Sequence, residues 1–574
     1  MFAQLPAELS ISVLSLLDVA SISNLSLVCK RWKAFVDENE STVYHNLAVY
    51  HEFIHSSSVV FNRLPSIYSA KSLVGVSNWK SFCQRRVHID KSWAGKASSH
   101  YVSYPSSGST VHRIKIDEKA GFIITSFRDG GLRVSDLTSD KVLWSLPKTY
   151  VRQYAHVEYG EGFVIFDRHG DTKEVWRLAV DCHSSTSSQS KAQPDQISAS
   201  EKAFNMHVDT YPHGHFKPWA VLKMPRRDTR AFRFVFPTLL VGAWDHVFLW
   251  DILSCELIQT ITPIQRPNDP SAAFALVLAN APSFDAPVPR LGALDNINYV
   301  DVDGNHVFIC GVNSLRVFSR ASGKCILDVP STRREYGSRK YGVLYDSEPQ
   351  TNGAALVNHY TVGEELQFVS TPRVIDEFVA AHVSSCGHHL VALLGSSRVV
   401  IIQNFQDGPS SVHDHMLSIQ LGRCGARSKY LAIQNDRVAV ANNNGLFIFS
   451  LSEVLRSGVN SESSQNPTPV VSRAPYFGYT LYLSNLTCLQ LSDTGLYLNW
   501  DTSYLQLCED DEVERRRSDD LFHDSVDDQH ISHLRMPTGD LIILLIGEDN
   551  FFTDNSTVCG IDFTPRPVDE HVSV

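Results

Sequence analysis

The chain has 574 residues, 43% of them hydrophobic and 20% charged, a composition that excludes wholesale disorder, collagen-like repeats and coiled-coil filaments and leaves room for three or four domains or one large repeat array. With 51 basic against 62 acidic residues the net charge is −11, which argues against a broad nucleic-acid footprint, because neutralising phosphates requires a basic face. The longest aliphatic stretch, Leu541 to Ile546, is far too short for a membrane span, the start MFAQLPAELS lacks a signal-peptide pattern, and 11 scattered cysteines without a CxxC pair read as reduced thiols. A soluble protein of the cytoplasm and/or nucleus is expected, with no nucleic-acid or membrane partner.

In residues 5–36, Leu5, Leu9, Val13 and Leu16 or Leu17 recur at helical spacing, with Pro6 where a first turn tolerates a missing N–H. Asp18 is placed to cap a second helix with the apolar set Ile22, Leu25 and Val28, and Cys29, Trp32 and Val36 carry the pattern onward. About 35 residues hold little core of their own, so surplus apolar surface should be covered by the rest of the chain or by a partner.

The residues Leu5-Pro6, Glu8-Leu9, Val13-Leu14, Leu17-Asp18 and Leu25-Ser26-Leu27-Val28-Cys29-Lys30-Arg31-Trp32 resemble the F-box, without a gap. That resemblance implies binding to the Skp-type adaptor of a cullin–RING ubiquitin ligase, with Leu5, Pro6, Leu9, Val13, Leu14 and Leu17 as the adaptor contacts. Farther on, Val43, Leu47, Tyr50 and Ile54 suggest one more helix. Trp79-Lys80 and Lys91-Ser92-Trp93 look like the helical bridge that F-box proteins of the WD-repeat class place before a propeller; Arg85-Arg86 between them is expected to be solvated. The domain reading is F-box 1–40, helical linker 41–97 and propeller 98–574.

From about residue 100, short alternating runs separated by Gly, Asp, Ser and Asn indicate a many-stranded antiparallel domain. Recurring units lie at 122–137, 239–252, 306–319, 391–403 and 438–451, with weaker copies at 163–178, 495–508 and 541–563. Repeats of this kind point to a β-propeller, and the units resemble WD repeats, although only Trp250-Asp251 preserves the dipeptide. The fold class is therefore mixed: an all-α F-box and linker followed by an all-β, WD-like propeller of seven or eight blades. Three insertions are expected: a disordered Ser/Gln-rich loop at 183–200, a Pro/Ala-rich loop at 262–292, and an acidic loop at 509–528 that carries −7 of the −11 charge. The acidic run reads as a solvated surface or as a docking segment for something basic.

No Walker A, GxSxG, HExxH or strand-linked GxGxxG motif occurs, so no catalytic or cofactor site is expected. His207, His213 and His215, like Cys386, His388 and His389, match no zinc spacing. Asp136, Asp251 and Asp303 read as turn acceptors. Two basic clusters fall in connections between repeats, and Arg226, Arg227, Arg230, Arg333, Arg334 and Arg339 are candidate readers of a phosphorylated or acidic segment of a substrate protein. The combined expectation is the non-catalytic substrate receptor of an SCF-type ligase. The alternative is an adaptor-bound propeller scaffold that passes ubiquitin to nothing, with a channel-borne enzyme a third reading.

Overall fold

Local signals fix the first helices, α1 (Ala7–Leu14), α2 (Val19–Val28), α3 (Lys30–Glu38) and α4 (Glu40–Tyr50). The computed structural model describes residues 5–168, 172–182, 191–226, 229–266, 293–331, 336–337, 339–343, 356–364, 376–407, 415–422, 426–456, 470–478, 480–502 and 555–565. Asp18 caps α2, its carboxylate accepting from the Ser21 amide at 2.6 Å, and that bond holds its pKa below the usual carboxylate range. A short helix, α5 (Leu64–Ile67), precedes the long α6 (Trp79–Trp93). Asn78 opens α6 with a capping box, accepting from the Ser81 amide at 2.8 Å while the Ser81 hydroxyl accepts from the Asn78 amide at 3.0 Å.

The remaining chain forms seven four-stranded antiparallel blades, numbered here in chain order. Blade 1 uses Val111–Asp117, Phe122–Phe127, Leu132–Asp136 and Val142–Leu146; blade 2 uses Val157–Gly160, Phe163–Arg168, Thr172–Leu178 and Phe216–Lys223. Blade 3 uses Thr229–Val235, Thr238–Ala243, His246–Asp251 and Glu256–Ile261; blade 4 uses Ile297–Val302, His306–Gly311, Ser314–Ser319 and Cys325–Pro330. Blade 5 uses Phe378–Val383, Leu390–Leu394, Arg398–Ile402 and Met416–Gln420, and blade 6 uses Ser428–Gln434, Arg437–Asn442, Gly445–Ser450 and Val470–Arg473. Blade 7 is assembled from distant segments: Leu489–Leu491, Gly495–Trp500 and Thr557–Asp562, with His100–Tyr104 as its outermost strand.

The blade number is therefore seven. Of the eight candidate units, 495–508 and 541–563 supply adjacent strands of one blade, paired from Gly495↔Asp562 to Trp500↔Thr557. Second strands such as Phe122–Phe127, Thr238–Ala243 and His306–Gly311 are buried along their whole length, because each sheet is sandwiched between two others. Blades 3 and 4, for example, share a core containing Leu240, Leu249, Val300 and Ile309. Asp136, Asp251 and Asp303 do accept turn amides, from Ser139, Ser254 and Asn305 respectively.

Two features depart from the sequence reading. The 183–200 segment is not a loop throughout: Pro194–Met206 is a helix, led by a Gln193/Gln196 capping box and packed against the outer strands of blades 1 and 2. Ala199 and Ala203 are small enough for close approach, and buried Gln196 donates to Glu174 and the Ala220 carbonyl, so low apolar content did not prevent docking. In addition, strands Arg339–Val343 and Asn358–Glu364 bridge the outer edges of blades 5 and 6, converting those blades into one ten-stranded sheet. Residues 183–190, 267–292 and 503–554, which hold most of the expected insertions, lie outside the described residues.

Because strands alternate in direction, first-to-second and third-to-fourth turns emerge on one face of the ring. Second-to-third turns and blade-to-blade connections emerge on the other. We call these the lower and upper faces.

Candidate protein-docking surfaces

The first surface is on the helices. Leu14, Val19, Ile22, Val36, Val43, Tyr44 and Leu47 form their core, together with Trp79, Phe82 and Cys83 from the first half of α6. Outside this core, Leu9 is 52% exposed, Leu16 56%, Leu27 84% and Val28 70%, an apolar surface that the propeller leaves uncovered. Of the residues expected to meet an adaptor, Leu5, Pro6 and Leu9 are exposed, while Val13 and Leu17 are half-buried. Leu14 is a correction: it is 2% exposed and packs inside the helices, so it is not available to a partner in this conformation. Val28, grouped by spacing with Ile22 and Leu25 in the apolar set of α2, lies on the open side of that helix. Leu16 and Leu27 belong to the surface as well, a signal the sequence carries as leucines beyond the count that one stripe needs.

The joint between helices and propeller is rigid. One helix, α6, serves two cores: its first half packs with the helices, and Ile89 and Trp93 from its second half pack with Leu489, Trp500 and Phe563 of blade 7. Trp93 stacks on Phe563 with ring centroids 3.7 Å apart. Arg86, expected to be solvated, is 7% exposed and makes a two-pronged bond to Asp493, at 2.5 and 2.9 Å. Arg85 donates to the Lys71 and Ser72 carbonyls, Lys71 pairs with Asp562 at 2.8 Å, and Arg437 pairs with Asp90 at 2.6 Å. Asp493 and Arg437 sit at first-to-second turns and Asp562 ends the third strand of blade 7 on the same face, so the helices occupy the lower face under blades 6 and 7.

The second surface is on the upper face. Arg226 is exposed in the connection from blade 2 to blade 3, and Arg230 is exposed at the start of the first strand of blade 3. Arg339 is elsewhere, half-buried on a strand paired beside Leu417 at the rim of blade 5, so the structure does not gather the candidate arginines into one site. Arg227, Arg333 and Arg334 lie outside the described residues. Cations that sequence reasoning missed emerge on the same face: Lys223 at the end of the last strand of blade 2, and Lys148 and Arg152 on the connection from blade 1 to blade 2; Lys223 lines a cavity with Thr149, the neighbour of Lys148. Lys148, Arg152, Gln153 and Asp129 line a cavity of about 530 Å³. Asp129 leads the turn Gly130-Gly131, where both glycines have positive φ (93° and 98°) and a Cβ on Gly130 would lie 2.7 Å from the Val151 carbonyl.

The central channel holds a belt of charge donated by the innermost strands. Lys115 bonds Glu158 at 3.0 Å, Arg233 spans Glu158 and Asp301 at 3.1 and 3.2 Å, and His382 bonds Asp301 at 3.0 Å. His156 also meets Glu158, at 2.9 Å, and Arg113 reaches Tyr430 and the Thr487 carbonyl across the ring. The flanking cations hold both carboxylates below their usual range, Glu158 by Lys115 first and Asp301 by Arg233 first, against the desolvation that opposes them. Each is thus a partner in an ion pair, and the arrangement ties blades 1 to 5 together around the axis. The histidines weighed for metal have separate partners: His207 meets Ser145 at 2.9 Å, His213 meets Asp136 at 3.0 Å and His215 meets Thr210 at 2.9 Å. Among the described residues no group of three or more His, Cys, Asp or Glu is placed to hold a metal ion.

An F-box-like family profile matches residues 2–48. No curated protein matches the sequence. Among solved structures, the β-propeller domain of Cps50 (Swd1) from Myceliophteria thermophila is 9% identical with a TM-score of 0.39, over 70% of this chain and 95% of that one. The WD40 repeats of RRP9 are 9% identical with a TM-score of 0.37, over 69% of this chain and 89% of that one.

Proposed function

We propose that the chain is the substrate-recognition subunit of a cullin–RING (SCF-type) ubiquitin ligase in the cytoplasm and/or nucleus. The F-box-like helices bind a Skp-type adaptor, and the propeller binds a substrate protein. The observation that carries this reading is the exposed apolar surface around Leu9, Leu16, Leu27 and Val28, on helices whose own core is complete without it. Covering each such side chain contributes on the order of 1–2 kcal/mol. Arg226 and Arg230, with Arg227 beside them in sequence, are the proposed substrate contacts, their forked guanidiniums suited to acidic or phosphorylated groups. No bond chemistry is assigned to this chain. Its contribution is to raise the effective concentration of a substrate lysine near the ubiquitin-charged enzyme, which a stiff joint such as α6 sustains and a slack one would dilute.

The test is co-purification with a Skp-type adaptor, comparing wild type with Leu9→Asp/Leu27→Asp. Both positions are exposed, so the fold should survive, while two carboxylates forced into an apolar interface should cost several kcal/mol. Adaptor capture lost in a variant with unchanged thermal unfolding supports the reading; a wild type that captures no adaptor defeats it. Adaptor capture without cullin would favour the scaffold.

A further inference from the structure

From blade 1 to the start of blade 3, the described residues of the upper face include several unpaired cations. Lys148, Lys223, Arg226 and Arg230 have no ion pair among the described residues, and Arg152 is 43% exposed on its side chain while it pairs with Asp167 at 2.5 Å. The Arg152 Nε is buried without a hydrogen bond. Among the described residues the carboxylates nearby are engaged: Asp129 accepts from the Thr110 hydroxyl at 2.8 Å, Asp167 is held by Lys173 and Arg152, and Asp195, which shares a cavity with Lys223, pairs with Arg168.

The sequence supplies a matching anion at the same place. Residues 503–554 connect the second and third strands of blade 7, so both ends of that segment leave and re-enter on the upper face. Its return point abuts blade 1. Ser556 bridges to Thr110, its carbonyl accepting from the Val111 amide at 3.0 Å, and Thr110 in turn bonds the Asp129 that lines the cavity with Lys148 and Arg152. Residues 509–528 within the segment hold ten acids and three arginines. The six residues before Glu509 reach up to about 20 Å and the 26 after Asp528 up to about 90 Å, ample to lay the stretch across two neighbouring blades. A tether of this length holds an effective concentration on the order of millimolar.

We propose that the cationic upper surface running from blade 1 to the start of blade 3, and bearing Lys148, Arg226 and Arg230, binds an acidic polypeptide and that its resident occupant is this chain's own stretch 509–528. An acidic partner then has to displace it. This rests on the proposed role of Arg226 and Arg230 as contacts for an acidic partner, but its test reads peptide binding directly, whereas adaptor capture tests the ligase role, so the two can fail separately.

A fluorescent synthetic peptide with the sequence of residues 509–528 is titrated with three full-length proteins and followed by anisotropy. These are wild type, a variant with all ten acids of the stretch changed to their amides, and that variant carrying K148E, R226E and R230E. Thermal unfolding of each confirms the fold. The amide variant should bind the peptide at least tenfold more tightly than wild type, with affinity falling steeply between about 50 and 500 mM salt as screening shortens the reach of the charges. The charge-reversed variant should lose that binding. Equal affinity for wild type and the amide variant overturns self-occupancy and leaves the face to an external partner; no binding by the amide variant, or binding that survives charge reversal, overturns the surface itself.

Discussion

Replacing Arg86 by Met tests how the helices are fixed to the propeller. The arginine is 7% exposed and donates through both terminal nitrogens to Asp493, 407 residues away in sequence. Without it, a carboxylate with 21% side-chain exposure keeps the Ser72 hydroxyl, at 2.6 Å, as its side-chain donor. Orphaning one member of a fully buried pair costs about 3–5 kcal/mol; the remaining exposure and the serine reduce that to about 2–4 kcal/mol. Hydrogen exchange at α6 amides reads the loss locally: opening should become roughly 30- to 1000-fold easier, while blade 4 amides serve as an unchanged reference. Arg86→Met/Asp493→Leu should recover much of the protection, since it removes both charges and supplies apolar volume. The bonds from Arg86 hold the Asp493 pKa below its ordinary value, so the pair's contribution is complete above the usual carboxylate range and is lost as pH falls through the depressed value. Wild type and Arg86→Met should accordingly converge in acid. A single variant that exchanges within threefold of wild type, or a double variant worse than the single, would refute the reasoning.

In the channel, Arg233→Met removes the cation shared by Glu158 and Asp301, which keep Lys115 and His382, and should lower stability by about 2–4 kcal/mol, seen as a lowered melting midpoint by calorimetry; a shift under about 1 °C would show that the belt is not tying the blades together. Among the described cysteines, Cys29 and Cys386 are exposed, whereas burial pushes the thiols of Cys83, Cys325, Cys488 and Cys559 up to about 12. Alkylation at pH 8 followed by peptide mass mapping should therefore mark Cys29 and Cys386 first, and equal labelling of Cys488 would contradict the packing of blade 7.

What was legible in the sequence was what neighbouring residues decide among themselves. Asp18 capping Ser21, the spacing of Val43 and Leu47, and the turn aspartates 136, 251 and 303 all act within a few positions. What was not legible depends on partners hundreds of positions away. Arg86 reads as solvated until Asp493 is brought beneath it, and Leu14 looks like contact surface until α4 packs against α1. The helix Pro194–Met206 was hidden for a related reason: alanines and a glutamine carry no apolar stripe, yet they fit the narrow space between the outer strands of two blades. The two weakest repeats looked like separate units because pattern alone cannot say that 495–500 and 557–562 pair with each other. The upper cationic surface was half visible: Arg226 and Arg230 stood out as a cluster, whereas only the blade topology puts Lys148 and Arg152 on the same face of the ring.

Blade 7 also bears on how the chain is made. Its outermost strand, His100–Tyr104, is synthesised first and has nothing to pair with until Thr557–Asp562 follows. At about 5–20 residues per second, roughly 25–90 s separate the two strands. Through that interval Trp93 waits without Phe563 and Arg86 waits through most of it without Asp493, so the linker helix leaves the ribosome with its propeller-facing side bare. Ring closure, helix docking and burial of that side all depend on the same late segment. A nascent chain halted before it would expose an unpaired strand edge and an apolar helix side together, features on which chaperones act and from which aggregation starts.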